Sequence, residues 1–288
     1  MYNNRRKALL SVSKKEFMDN FRSKWVLVLS FIFAGLILLI SAYEGMRPGG
    51  NGGFESVVSF SSSLVVMLIS IVAIVMGYKA VVNEVESKSI ALLLTSELSR
   101  RDIIIGKFIG LCSVIGVSVI TGLGIGGIVI GITSGFENAD LYGLYILISI
   151  VFGATYLAIS MLMSSFVSKT GRALAGGVFI WIFFNFIWDL LLFGVLIGTG
   201  WKLPSSPTEV ITYPDWYNVS KLFNPNYSFT MLVNKVIDPA VQVSAIQIGN
   251  ASYQIPEILT IPILIFALIV WIAIPLLVGI IYFNRKDL

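Results

Sequence analysis

Two places in this 288-residue chain hold side chains whose types and spacing could do chemistry: Asp189 and the charged stretch from Glu84 to Lys107. Asp189 stands inside the apolar run ALAGGVFIWIFFNFIWDLLLF, with Asn185 one helical turn before it and Trp181 and Trp188 alongside. A charged Asp at the centre of a membrane helix costs about 2.5–3.5 kcal/mol on insertion scales, so this carboxylate must face protein or water. Two readings stay open: a polar contact lining a transport path, and a buried hydrogen bond to Thr155 or Ser160. The stretch EVESKSIALLLTSELSRRDIIIGK pairs Glu84, Glu86, Arg100 and Arg101 with an apolar centre of Ile90, Leu92, Leu93 and Leu94. Apolar anchors with a polar rim suit a helix seated in a partner's groove.

Other chemistries are excluded by residue type. There is no His, so histidine catalysis, a His metal site and a His proton relay are absent. No nucleophile–base pair is recognisable, and neither catalytic nor metal-ligating residues are expected. The lone Cys112 cannot form an internal disulfide and reads as a small packing residue. Gly122, Gly124 and Gly127 spell a dinucleotide fingerprint, but inside an apolar run, where a strand and a polar crevice are missing. Packing explains them better: Gly122/Gly126 and Gly127/Gly131, four residues apart, let helix backbones approach. No P-loop occurs, so any ATP must be bound elsewhere.

The elements that must position these residues are helices in a bilayer. The chain is 56% hydrophobic and 12% charged, with mean hydropathy +0.88; a soluble domain carries about 25% charge. Six apolar runs are long enough to span, at about 25–43, 57–78, 108–133, 141–166, 173–199 and 258–283. The first is too long for a signal peptide and lacks a cleavage site, so it reads as an uncleaved span. Alternating the spans puts sixteen of the twenty basic residues on one side, leaving only Arg47, Lys202, Lys221 and Lys235 on the other. The positive-inside rule then places both termini in the cytoplasm and makes the net +4 a topology signal rather than a nucleic-acid patch. The segment 1–24 reads as a cytoplasmic amphipathic surface helix, with Leu10, Phe17 and Phe21 on one face. The extracytoplasmic segment 200–257 holds six of the nine prolines and many aromatics; Leu222 to Ile237 could form a helix dipping into the outer leaflet. It also carries N-x-Ser sequons at Asn218, Asn226 and Asn250. Ser56, Ser59 and Ser61 to Ser63 cluster at the outer start of span two, as a polar mouth or as helix-end caps. Pro262 and Pro275 are expected to kink span six.

The loop after span two resembles that of ABC-2 type permeases, the membrane halves of ATP-driven transporters. Glu84, Leu93, Leu94, Ser99, Arg100, Gly106 and Lys107 fit the family's loop. Lys88 and Ser89 stand where Gly-Thr is usual, and Glu97 where Pro is usual. Lys15-Glu16 before the first span matches as well. Trp181 followed two turns later by Asp189-Leu190 is similar to the fifth span of one branch, which includes the permease serving maturation of nitrous oxide reductase. The resemblance covers the whole chain. It implies one all-α integral membrane domain, 1–288, with six transmembrane helices, an N-terminal interfacial helix, a coupling loop at 79–107 and a candidate re-entrant helix before span six. It implies a multi-pass protein of the plasma membrane that works as the permease subunit of an exporter and is not itself an enzyme. Two copies of a separate ABC ATPase would carry ATP and Mg, and a second permease would complete a homo- or heterodimer. ATPase coupling falls to Glu84, Glu86, Ile90, Leu93, Leu94, Arg100 and Arg101; the pathway or inter-subunit surface falls to Trp181, Asn185 and Asp189. A secondary transporter driven by an ion gradient is one alternative, and a non-transporting assembly subunit another.

Overall fold

Hydrocarbon offers the backbone no hydrogen bonds, so an apolar run that spans a bilayer folds into a helix. The computed structural model describes residues 2–46, 53–86, 99–201, 213–237, 245–248, 251–254 and 259–285. Helix α1 is Tyr2–Phe21, and α2, span one, is Lys24–Met46. Span two, Phe54–Glu86, is built of α3 (Phe54–Leu64), a π-helical turn (Val65–Ile69), α4 (Ser70–Gly77) and α5 (Val82–Glu86). Spans three and four are α6 (Arg100–Ser134) and α7 (Ala139–Phe166). Span five, Thr170–Gly198, comprises α8 (Thr170–Ile182), a second π-helical turn (Phe183–Ile187) and α9 (Trp188–Gly198). Then come α10 (Asp215–Lys221), α11 (Pro225–Ile237), the strands β1 (Ala245–Ile248) and β2 (Ala251–Gln254), and span six as α12 (Ile261–Arg285).

All six expected spans are therefore helices long and apolar enough to cross a membrane. Two differences from the sequence reading have local causes. The all-helical expectation holds among the described residues apart from one short hairpin, whose strands pair antiparallel with Ala245 opposite Gln254 and Ile248 opposite Ala251. The Gly-Asn pair between the two strands is the hairpin signal that the all-helical expectation overlooked. Span three begins at Arg100, well before its apolar run, because Ser99 and Asp102 form a capping box. The Ser99 hydroxyl lies 2.6 Å from the Asp102 carboxylate, and each side chain meets the other's backbone N–H. That box lets the helix continue through the charged stretch. Pro262 falls in the first turn of span six, where its missing N–H costs nothing; only Pro275 is interior.

Spans two, three and four form the centre, around Leu111, Leu123, Tyr145, Phe152, Tyr156 and Leu157. Span four is 61% buried, whereas spans one and six are 22% buried and span five only 11%. The small faces of span three act as the spacing anticipated. A Cβ on Gly122 would stand 2.6 Å from the Phe33 ring, and one on Gly126 2.5 Å from Ile37, so span one lies directly on this stripe. Gly127 accepts the Tyr142 ring of span four in the same way. Nearer the start of span three, Gly106 and Gly110 seat α1, against Val12 and Glu16. In α1, Leu10 and Phe21 are exposed and Phe17 packs toward the core. Helix α11 is mostly buried; Phe229 sits 4.5 Å from Phe152, centroid to centroid.

Replacing Gly126 by Val should drive span one off span three and destabilise the protein by about 1–3 kcal/mol, the usual cost of overpacking. Gly124, with no atom within 4 Å of its Cβ position, should accept Ala without loss. Thermal unfolding in detergent, followed by fluorescence, checks both.

Candidate functional site

The base of the loop after span two is an ion-paired junction. Lys107, 4% exposed, holds its ammonium 2.7 Å from Glu84 of α5 and in contact with Glu16 of α1. One cation thus joins the N-terminal helix, the last turn of span two and the start of span three. A buried Lys alone would be prohibitively costly, and two carboxylates supply what water cannot. Ser13 adds a hydroxyl bond of 2.9 Å to the Gly106 carbonyl one residue away. On the other side of the loop, Glu86 accepts from the backbone N–H of Thr170 at 2.9 Å and from its hydroxyl, tying span two to the start of span five. Arg100 donates to the Phe283 carbonyl at 2.8 Å, tying span three to span six. Arg101 is exposed. Of the residues expected to couple, Glu84, Glu86 and Arg100 are thus brought together at the end of the bundle that carries α1 and the end of span six. Ile90, Leu93 and Leu94 lie outside the described residues.

A second polar seam crosses the middle of the bundle. Spans two and five each leave α-helical geometry, at Val65–Ile69 and Phe183–Ile187. The Trp181 indole N–H bridges them, donating to the Ser70 hydroxyl at 2.8 Å. In span five the π turn diverts the Trp188 N–H to the Phe183 carbonyl, which leaves Phe184 O without its usual helical donor. Asn224 and Asn226 fill that place with side-chain amides at 2.8 and 3.3 Å. Asn224 also accepts from the Asn226 N–H, capping α11 at the residue before Pro225. The Tyr156 hydroxyl of span four donates to Asn226 Oδ1 at 2.7 Å, and the Asn185 amide donates to the Trp181 carbonyl at 2.9 Å. Trp181 and Asn185 are therefore in one network, whose other members the sequence reading missed. The Asn-Pro-Asn triplet at 224–226 was the available signal, a cap followed by a first-turn proline.

Asp189 is not in that network. It is exposed on the single chain, and neither expected structural partner reaches it: Thr155 donates to Phe152 O and Ser160 to Ile74 O. Asp189 acts electrostatically on Lys221 at the end of α10. The Lys221 ammonium lies over the rings of Tyr213, Tyr217 and Tyr227, at 5.6, 4.9 and 5.1 Å from their centroids. Burial among them pushes its pKa below the ordinary lysine value, and Asp189 opposes that shift. Besides Asp102 of the capping box, Glu44 is a buried carboxylate within a span, 2% exposed near the end of span one. Its place in the last turn put it just beyond the expected limit of that span. Two sequons are explained structurally: Asn218 is 1% exposed with its amide on Tyr213 O and Pro214 O, and Asn226 is committed as above. Neither presents an amide to a glycosyl donor.

A profile of the ABC-2 family transporter proteins matches residues 10–288. The chain belongs to the ABC-2 transporter family. It is similar to two proteins each described as a probable ABC transporter permease protein NosY. One, from Pseudomonas aeruginosa, is 30% identical over 216 residues; the other, from Stutzerimonas stutzeri, is 29% identical over 216 residues. Each alignment covers 69% of this chain and 78% of the relative. The chain is thus a multi-pass membrane protein, the permease component of an ABC transporter on the NosY branch. Neither the ion-gradient transporter nor the assembly subunit is needed to explain it.

Asn224→Ala together with Asn226→Ala should leave the Phe184 carbonyl unsatisfied in a buried site, at a cost of about 1–3 kcal/mol. Asn218→Ala, with its amide on loop carbonyls, should cost less. Comparing the melting temperatures of the purified variants tests the ranking.

Proposed function

We propose that this permease is the membrane half of an ATP-driven exporter, coupled through residues 84–102 to a separate ATPase subunit that carries ATP and Mg. The observation that carries the reading is the Glu16–Lys107–Glu84 junction. It fixes the base of the loop to α1 and span three, so a push on the loop is delivered to three elements at once rather than absorbed by a flexible connection. Ile90, Leu93 and Leu94 supply the apolar anchors for the ATPase groove and Arg101 a free rim charge. Two ATPase subunits and two permeases make the working assembly. Span five suits the contact between permeases or the path between them. It is the least covered helix in the single chain, and it carries Asp189 on its exposed side. A carboxylate there is too costly to leave in lipid. The charge asymmetry supports both termini being cytoplasmic; in a plasma-membrane permease α1 then lies along the cytoplasmic surface while α11 enters the bilayer from the other side.

Leu93→Asp with Leu94→Asp should abolish co-purification of the ATPase or uncouple its hydrolysis, while the permease still inserts. Unchanged assembly and coupled transport would refute the loop's role. Orientation has its own test in a variant lacking Cys112. A cysteine at Ser206 should react with an impermeant reagent added outside intact cells, and one at Ser96 should not; Ser96 is chosen because Ser99 is needed as the helix cap. The reverse labelling pattern would invert the topology.

A further inference from the structure

At the end of the bundle opposite α1, a groove of about 610 Å³ opens between the first half of span two and α11. One wall is a stripe of span two, Glu55, Ser56, Ser59 and Ser63, and the other is Thr230 and Asn234 of α11. Spacings of three and four residues place each set on one helix face. The size is that of a small-molecule site. Glu55 and Ser59 are exposed, as is Ser63, on a helix that crosses a membrane. Hydroxyls, an amide and a carboxylate on one such face are costly against acyl chains, so the groove faces water or protein rather than lipid, although Val58, Val66 and Ile237 also line it. Its charge is one-sided. Span two carries a single cation, Lys79, near the far end, and α11 carries only Lys235, which is 6% exposed and does not line the groove. Asn138 donates to the Glu55 carboxylate at 3.1 Å, which orients it without neutralising it.

We infer that this groove is the outer binding vestibule of the permease and that it accepts a small hydrogen-bonding solute that is neutral or cationic, and rejects anions. The inference rests on the reading of the chain as one half of a translocation path. An anion entering here would meet a carboxylate and, among the described residues that line the groove, no cation to replace its water. A neutral solute meets hydroxyl and amide groups on both walls, and a cation gains Glu55. The two walls also make the site adjustable: α11 is fastened to span five through Asn224 and Asn226, while the serine stripe belongs to span two. A change of the distance between spans two and five therefore changes the width of the groove.

The test uses the ATPase–permease complex, with Cys112→Ala and a single cysteine at Ser59. Trimethylammonium-ethyl and sulfonato-ethyl methanethiosulfonates are applied in turn, and each rate is normalised to that reagent's reaction with a free thiol. The cationic reagent should be favoured about fivefold, the combined attraction and repulsion from one carboxylate across a wet gap. Glu55→Gln in the same background should remove most of that preference. Equal normalised rates, or a preference for the anionic reagent, would overturn the charge selection. Failure of both reagents to react, in a complex that is correctly folded by its melting temperature, would show that the groove is not a wet vestibule. Loss of ATPase association, by contrast, strikes the coupling reading and leaves the labelling result intact.

Discussion

The ammonium of Lys107 cannot stand uncompensated where it lies, 4% exposed, and this constraint sets the geometry of the whole terminal end. The two carboxylates that satisfy it come from places remote in sequence, Glu16 in α1 and Glu84 in α5. For both to reach one nitrogen, α1 must run against span three closely enough that Gly106 and Gly110 have no side chains. Span two must also finish beside the start of span three. The loop from 84 to 102 therefore leaves and re-enters at a fixed point, closed on the return side by the Ser99–Asp102 box. A buried pair is seldom a strong net stabiliser, because desolvation offsets attraction. Its value here is in fixing which three helices meet, since removing Lys107 leaves two carboxylates without their cation.

A similar logic governs the middle of the bundle with neutral groups. A π turn widens a helix and leaves a carbonyl without a donor, an expense that hydrocarbon does not forgive. Span two answers with Ser70, whose hydroxyl contacts Val66 O and Met67 O and receives the Trp181 indole. Span five answers with Asn224 and Asn226 from α11. The two departures from α geometry are thus bonded to each other by Trp181 and supported from outside by α11. Helix α11 is held in return by Tyr156. These spans are able to bend, and the points at which they bend are coupled.

The elements were legible because they depend on local composition. Six runs of apolar residues admit only helices, and four-residue glycine spacing reads as close approach; Gly122 and Gly126 behave so. The contacts of polar residues were less legible, because periodicity says which face a residue occupies and not what stands opposite. Trp181 and Asn185 were singled out for their place before Asp189. Asn185 bonds back to the Trp181 carbonyl, a local contact, but the partner of the Trp181 indole, Ser70, lies 111 residues away, beyond the reach of any spacing argument. Asp189 drew attention as an isolated charge in an apolar run, yet the single chain gives it no hydrogen-bonding carbonyl or hydroxyl from span four. Glu44 escaped because one end of a span looks like a loop in composition. Lys107 was recognised as part of a loop pattern, but the sequence places Glu16 91 residues away and gives no sign that the two meet.

Span two joins these parts. At one end Glu84 is locked to Lys107 and Glu86 to Thr170; in the middle the π turn meets Trp181; at the other end the serine stripe faces α11. An element fastened at its base cannot slide freely, so a displacement of the loop must appear as tilt or as bending where helical bonding is interrupted. Span two leaves α-helical bonding at two places between the fastened base and the serine stripe: at 78–81, where the Val81 and Val82 N–H groups turn to the Ser164 hydroxyl, and at the π turn Val65–Ile69. Bending there moves Ser56, Ser59 and Ser63 relative to α11 while the ion-paired base stays whole. On the proposed coupling, span two is the element that carries a displacement of the loop to the polar groove at its far end. The Lys107 junction, by contrast, cannot open without exposing an unpaired charge, so it is the part of span two that stays fixed.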